Sequence, residues 1–154
     1  LGKGSTFSVY LPACEASPLS GSSVPPDTRD FRGHGETILV VDDESSVRDV
    51  IRAVLTPMGF NVLTAADGTA ALLKVAETSE LSAVITDLHM PHMDGLSFSR
   101  VLRSRLPQTG IIVASGRLEE AEEAEFKSLG VGAILEKPFN PDKLLAALKA
   151  VIVR

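Results

Sequence analysis

Residues 38–44, Ile38-Leu39-Val40-Val41-Asp42-Asp43-Glu44, decide the fold. Four apolar residues follow one another without alternation, as expected of a central parallel strand covered on both faces. The run then stops at three acids. Beyond it Val47, Val50, Ile51, Val54 and Leu55 recur at the spacing of an amphipathic helix. Ser45 or Ser46 offers its N-cap, and Pro57 with Gly59 ends it.

The rest of the chain repeats this strand-helix unit. Further strands are expected at 61–64, 83–86, 111–114 and 133–135. The helix at 69–78 follows the Asp67-Gly68 turn and carries Ala70, Leu72, Leu73, Val75 and Ala76. The helix at 95–106 turns Leu96, Val101 and Leu102 inward. The one at 118–129 is rich in Glu and is capped by Gly130. Asn140 as N-cap and Pro141 at the first position open the last helix, whose stripe is Leu144, Leu145, Leu148, Val151 and Ile152. Strict alternation forces parallel strands joined by right-handed crossovers. The prediction is an α/β fold, a flavodoxin-like (βα)5 three-layer sandwich with strand order 2-1-3-4-5.

Composition bounds the function. The 154 residues are 44% hydrophobic and 23% charged and contain no Trp, so the core must be aliphatic. No apolar run approaches the roughly 20 residues of a membrane span. Residues 1–35 balance Lys3, Arg29 and Arg32 against Glu15, Asp27 and Asp30, so the net charge of −5 lies from Glu36 onward. A surface of that sign is a poor start for binding nucleic acid, which relies on phosphate neutralisation. Neither nucleic acid nor direct membrane contact is expected, and Cys14, standing alone, fits a reducing, cytoplasmic location. Leu1 is not an initiator Met, so a fragment of a longer chain is expected. Residues 13–36, rich in Ser, Pro and Gly, read as a flexible linker, with His34 a solvated loop residue between two glycines. Before them, Thr6 to Leu11 alternate as a strand would, and that strand would belong to an upstream domain. The packed domain is expected over 37–154.

Four of the five strands deliver a polar group at the carboxyl end: Asp42 and Asp43, then Asp87, Ser115 and Lys137. In the order 2-1-3-4-5 these share one rim. Three carboxylates so close repel one another, and a divalent cation removes the conflict. Oxygen ligands without His or Cys favour a hard ion such as Mg²⁺. Asp87 is the candidate nucleophile, because a carboxylate can attack phosphorus to give an aspartyl phosphate. Lys137 and the Ser115 hydroxyl would then contact phosphoryl oxygens.

With these residues in place, the segments ILVVDDE, TDLHMPHMDG, VASG and EKPF resemble those of response-regulator receiver domains. The resemblance implies that Asp42 and Asp43 are the acidic Mg²⁺ pair, Asp87 the phosphoacceptor, Ser115 the switch residue and Lys137 the lysine of the site. It also implies a metal contact from the backbone carbonyl of His89 and a cis peptide before Pro138. His89 and Arg117 stand at positions that influence phosphoryl lifetime in the family. The chain departs from the family at Ile134, where a Tyr or Phe usually partners the switch hydroxyl; either Ile134 is simply core or the output is altered. Residues 1–12, LGKGSTFSVYLP, resemble the end of the ATP-binding domain of sensor histidine kinases.

The expected function is therefore the phosphoacceptor of a two-component phosphorelay, the C-terminal receiver of a hybrid histidine kinase. Its donor would be a kinase phosphohistidine domain or a histidine-phosphotransfer domain. The receiver itself would not be a turnover enzyme. An alternative is an aspartyl-phosphate phosphohydrolase, but those place the nucleophile in Asp-x-Asp after strand one and add a cap; Asp42 and Asp43 are adjacent, and no insertion is long enough for one. A receiver that binds partners without phosphorylation is the other alternative. Oligomeric state is left open.

Overall fold

The computed structural model describes residues 31–152. The alternating run at 6–11, Cys14, the segment assigned to an upstream kinase domain, the linker up to residue 30 and the last two residues lie outside that range. The elements are β1 (Thr37–Val41), α1 (Ser45–Leu55), β2 (Asn61–Ala65), α2 (Gly68–Glu77), β3 (Ala83–Asp87), α3 (Gly95–Arg105), β4 (Gly110–Ser115), α4 (Glu120–Ser128), β5 (Ala133–Glu136) and α5 (Pro141–Ile152). All strand pairs are parallel, and the sheet order is β2-β1-β3-β4-β5. Fold class and order are as the alternation predicted.

The sheet is buried on both faces because its strands are apolar at successive positions, and the period-2 pleat sends neighbours to opposite sides. Ile38, Val40, Ile85, Ile112 and Leu135 pack beneath α1 and α5, with Ile51, Leu55, Leu144 and Leu148. Leu39, Val41, Val84, Ile111 and Val113 pack beneath α2, α3 and α4, with Val75, Phe98, Leu102 and Phe126. Phe98 and Phe126, the two largest fully buried side chains, anchor α3 and α4.

Several local expectations need correction. Val50 is 61% exposed. At roughly 100° per residue it lies off the edge of the stripe centred between Ile51 and Leu55. Leu73 is 66% exposed because it sits opposite Ala71 and Val75 on α2. Neither serine caps α1: Ser45 opens the helix, and Glu44 holds the N-cap position without a side-chain cap. α4 begins two residues later than expected, where the Glu122 carboxylate accepts the Glu119 backbone N–H at 2.9 Å.

Residues 31–36, which composition assigns to the linker, pack on the turn between α1 and β2. The rings of Phe31 and Phe60 lie 5.6 Å apart. Gly33 N–H donates to the Met58 carbonyl (2.8 Å) and Gly35 N–H to that of Gly59 (3.0 Å). Gly59 has φ of 94°, a left-handed conformation that suits glycine. A Cβ on Gly33 would stand 2.6 Å from the Phe60 ring, so the glycines that resemble a linker are what lets the backbone approach.

Candidate functional site

Strand register builds the site. Val41 pairs with Thr86, which sets Asp42 level with Asp87. Asp87 pairs with Ala114, and Ser115 with Glu136, which places Ser115 one step further along and Lys137 two. Following the pleat, Asp42, Asp87 and Lys137 continue the rows that face α1 and α5. Ser115 continues the row that faces α3 and α4.

Carboxylate oxygens of Asp42, Asp43 and Asp87 lie within 4.8 Å of one another. The Lys137 ammonium stands 2.7 Å from Asp42 Oδ2 and 3.1 Å from Asp87 Oδ1. Burial alone would lower its pKa, but the hydrogen bonds it donates to Asp42 and Asp87 and the charge of those carboxylates outweigh this, and the net shift is upward. Lys137 therefore stays charged. Asp42 is buried, and its other oxygen accepts the Glu44 N–H at 2.9 Å. Asp87 Oδ1 also accepts the Leu88 N–H at 2.9 Å. The Leu88 N–H and the Lys137 ammonium thus both meet Asp87 on that one oxygen.

Two loops hold this cluster. Gly95 N–H donates to the Leu88 carbonyl (2.9 Å), and a Cβ on Gly95 would collide with the Asp87 carbonyl oxygen. Asp94 caps α3 by accepting from Ser97 N–H at 2.7 Å. The same loop carries His92 at φ 63°, whose Nδ1 lies 3.3 Å from Asp67 Oδ2. Asp67 is held below the usual carboxylate range, chiefly by the Ala70 N–H it accepts at the start of α2.

Ser115 is buried, and its hydroxyl donates to the Arg117 carbonyl at 2.6 Å. It does not touch the carboxylates in this arrangement. Grooves of about 420 and 320 Å³ open beside the cluster, and both are lined by His89 and Glu122; Asp43 borders the first, Ser115 and Arg117 the second. The peptide before Pro138 is cis. Ile134 is 40% exposed, so it is not a core residue; its side chain stands at the surface of β5.

The structure thus brings Asp42, Asp43, Asp87 and Lys137 together and leaves Ser115 turned aside. Sequence reasoning missed Gly95. Gly95 follows Asp94 where a helix starts, and nothing in its neighbours signals the close approach. The donor set suits a small hard cation: all ligands are oxygens, the repulsion is only partly offset by Lys137, and oxygens on opposite sides of Mg²⁺ stand roughly 4.2 Å apart. Among the described residues no helix is long and apolar enough to cross a membrane.

Comparison with known proteins gives a consistent answer. The model of the response regulator receiver domain matches residues 38–149. An NtrX-like response regulator of Rickettsia bellii is 40% identical over 114 residues, covering 73% of this chain and 24% of that protein. The chain spans a quarter to a half of the length of such curated relatives. The solved structure of chemotaxis protein CheY4 of Vibrio cholerae superposes with a TM-score of 0.71 at 34% identity, covering 76% of this chain and 98% of that one. A CheX–CheY–BeF3–Mg²⁺ complex from Borrelia burgdorferi gives 0.73 at 26% identity, covering 77% and 90%.

Proposed function

This chain belongs to the response regulator receiver domain family, and on that premise we propose that Asp87 is the phosphoacceptor of a two-component phosphorelay. The observation that carries the reading is the state of Asp87. One oxygen is fixed by Leu88 N–H and Lys137, beside two further carboxylates, and the other takes neither tie. We assign that second oxygen, Oδ2, as the nucleophile. The Oδ2–P bond forms while the P–N bond of a phosphohistidine breaks, and the electron pair of that bond returns to the imidazole. A carboxylate has no proton to lose, so no general base is required.

Asp42, Asp43, Asp87 and the His89 carbonyl would hold Mg²⁺, which would neutralise phosphoryl oxygens; the related Borrelia complex contains both Mg²⁺ and a beryllofluoride. An ammonium has three N–H donors. Asp42 and Asp87 occupy two on Lys137, and the third is available to a phosphoryl oxygen. To reach the same group, the Ser115 hydroxyl must leave the Arg117 carbonyl, and that exchange would carry the signal into the loop before α4. With Ile134 in place of a ring, the response would pass through that loop and α4 alone.

The phosphohistidine donor, a kinase domain or a histidine-phosphotransfer domain, would approach over α1. A groove of about 440 Å³ lined by Val47, Val50, Pro138 and Phe139 reaches Lys137 there, and the outward Val50 is explained by such a contact. The parent protein would be a hybrid histidine kinase, the reading supported by residues 1–12. The receiver would act as a relay in the cytoplasm.

The test is phosphoryl transfer from a phosphorylated histidine domain to the purified chain in Mg²⁺. Transfer is expected to the unsubstituted chain and not to Asp87→Asn. Undiminished transfer to Asp87→Asn would sink the assignment, and steady turnover of small phosphate esters would point to a phosphohydrolase instead.

A further inference from the structure

Three successive backbone carbonyls at the end of β1, those of Asp42, Asp43 and Glu44, all accept from one residue. The Arg48 guanidinium donates from Nη1 to Asp42 (2.5 Å) and to Asp43 (3.0 Å), and the Arg48 backbone N–H donates to Glu44 (3.3 Å). A guanidinium Nη carries two hydrogens, so one nitrogen can satisfy both carbonyls. The carboxylates of Asp42 and Asp43 hang from the peptide units fixed in this way. Asp42 is held on three further sides, by its N–H to Ala65 (3.2 Å), by Glu44 N–H and by Lys137. Asp43 is exposed, and its backbone carbonyl accepts from Arg48.

We infer that Arg48 is a positioning residue for the divalent-cation site: it fixes the backbone from which Asp42 and Asp43 present their carboxylates. The inference rests on the reading of Asp42, Asp43 and Asp87 as that site. Charge and position make opposite predictions for it. Arg48 is a cation close to a cation site, so if charge alone mattered, removing it would tighten Mg²⁺ binding. If it positions the loop, removing it weakens binding, because an unheld Asp43 must be ordered when the ion arrives. Partners that orient metal ligands are typically worth about 10- to 100-fold in affinity.

The experiment follows the amides of Asp43 and Asp87 by NMR while the full chain is titrated with MgCl2, in the unsubstituted protein, Arg48→Met and Arg48→Lys. Met keeps most of the apolar stem and removes the donors; Lys keeps the charge and a donor on a shorter reach. Arg48→Met is expected to weaken Mg²⁺ binding about tenfold or more, and Arg48→Lys less. The thermal midpoints in metal-free buffer separate this from a fold defect: a loss of affinity in variants that melt close to the parent supports positioning. Equal or tighter binding in Arg48→Met overturns the inference and leaves the site intact. No binding to the unsubstituted chain removes the cation site itself, and the role of Arg48 with it.

Discussion

The helices α4 and α5 flank the same end of the sheet and are held in different ways. α5 buries Leu144, Leu145, Leu148 and Val151. α4 buries Phe126 alone; Arg100 pairs with Glu125 in its C-terminal half, and Arg103 bonds the Leu129 and Gly130 carbonyls just beyond it (3.0 Å each). The rim divides likewise. On the α1/α5 side Asp42, Asp87 and Lys137 are locked together; on the α4 side Ser115 is bonded to its own loop. On the proposed function, the difference separates duties. A reacting group benefits from being fixed before the substrate arrives, whereas an element that reports the reaction needs a second arrangement of similar energy.

Breaking the fixed half should have the largest effect. Lys137→Met is expected to slow labelling of Asp87 by acetyl phosphate by about a hundredfold or more, the cost of removing one preorganised donor. Ser115→Ala, on the α4 side, should cost less than about tenfold in labelling while abolishing the change in α4 amide shifts. If the two variants exchanged these phenotypes, the division of the rim would be wrong. The raised pKa of Lys137 adds a pH signature: its pairing contributes fully below the ordinary lysine value of 10.5 and is lost as pH rises through the folded value. Alkaline urea melts should show that loss in the parent and not in Lys137→Met.

Leu148→Ala should cost about 2–5 kcal/mol in a denaturant melt, because it opens a cavity beneath α5. Amides of α4 should exchange with solvent through local opening and those of α5 only through larger unfolding; equal protection would remove the contrast. Asp43→Asn should do the reverse of most substitutions and raise stability, by about 1 kcal/mol in metal-free buffer, since it relieves repulsion among the three carboxylates. The gain should shrink as Mg²⁺ is added. Ile134→Tyr is the mildest change: at an exposed strand position its effect on stability should stay within about 0.5 kcal/mol, and what it alters should be the response of α4 to beryllofluoride.

The architecture was legible because β1 and its fellow strands are apolar on both faces and the acids, serine and lysine close them. The same runs gave Asp42, Asp43, Asp87, Ser115 and Lys137 their places on one rim. What escaped was carried by geometry rather than pattern. Arg48 is one of three charged residues on α1, and only the path of the β1–α1 loop shows that it holds three carbonyls. The segment from Phe31 to Glu36 has the composition of a linker, yet its glycines admit a backbone contact on Gly59 and Phe60. Ile134 could not be placed from its neighbours, since a short strand at the sheet edge can bury either set of alternate residues.

The central claim is that Asp87 accepts the phosphoryl group with Mg²⁺ beside it. Its most direct test is to label the chain with acetyl phosphate, trap the acyl phosphate by borohydride reduction and map the modified residue by peptide mass spectrometry, with Mg²⁺ and with EDTA. The account predicts one modified position, Asp87, formed only with Mg²⁺. Modification at Asp42 or Asp43 instead, or at Asp87 to the same extent in EDTA, would contradict it.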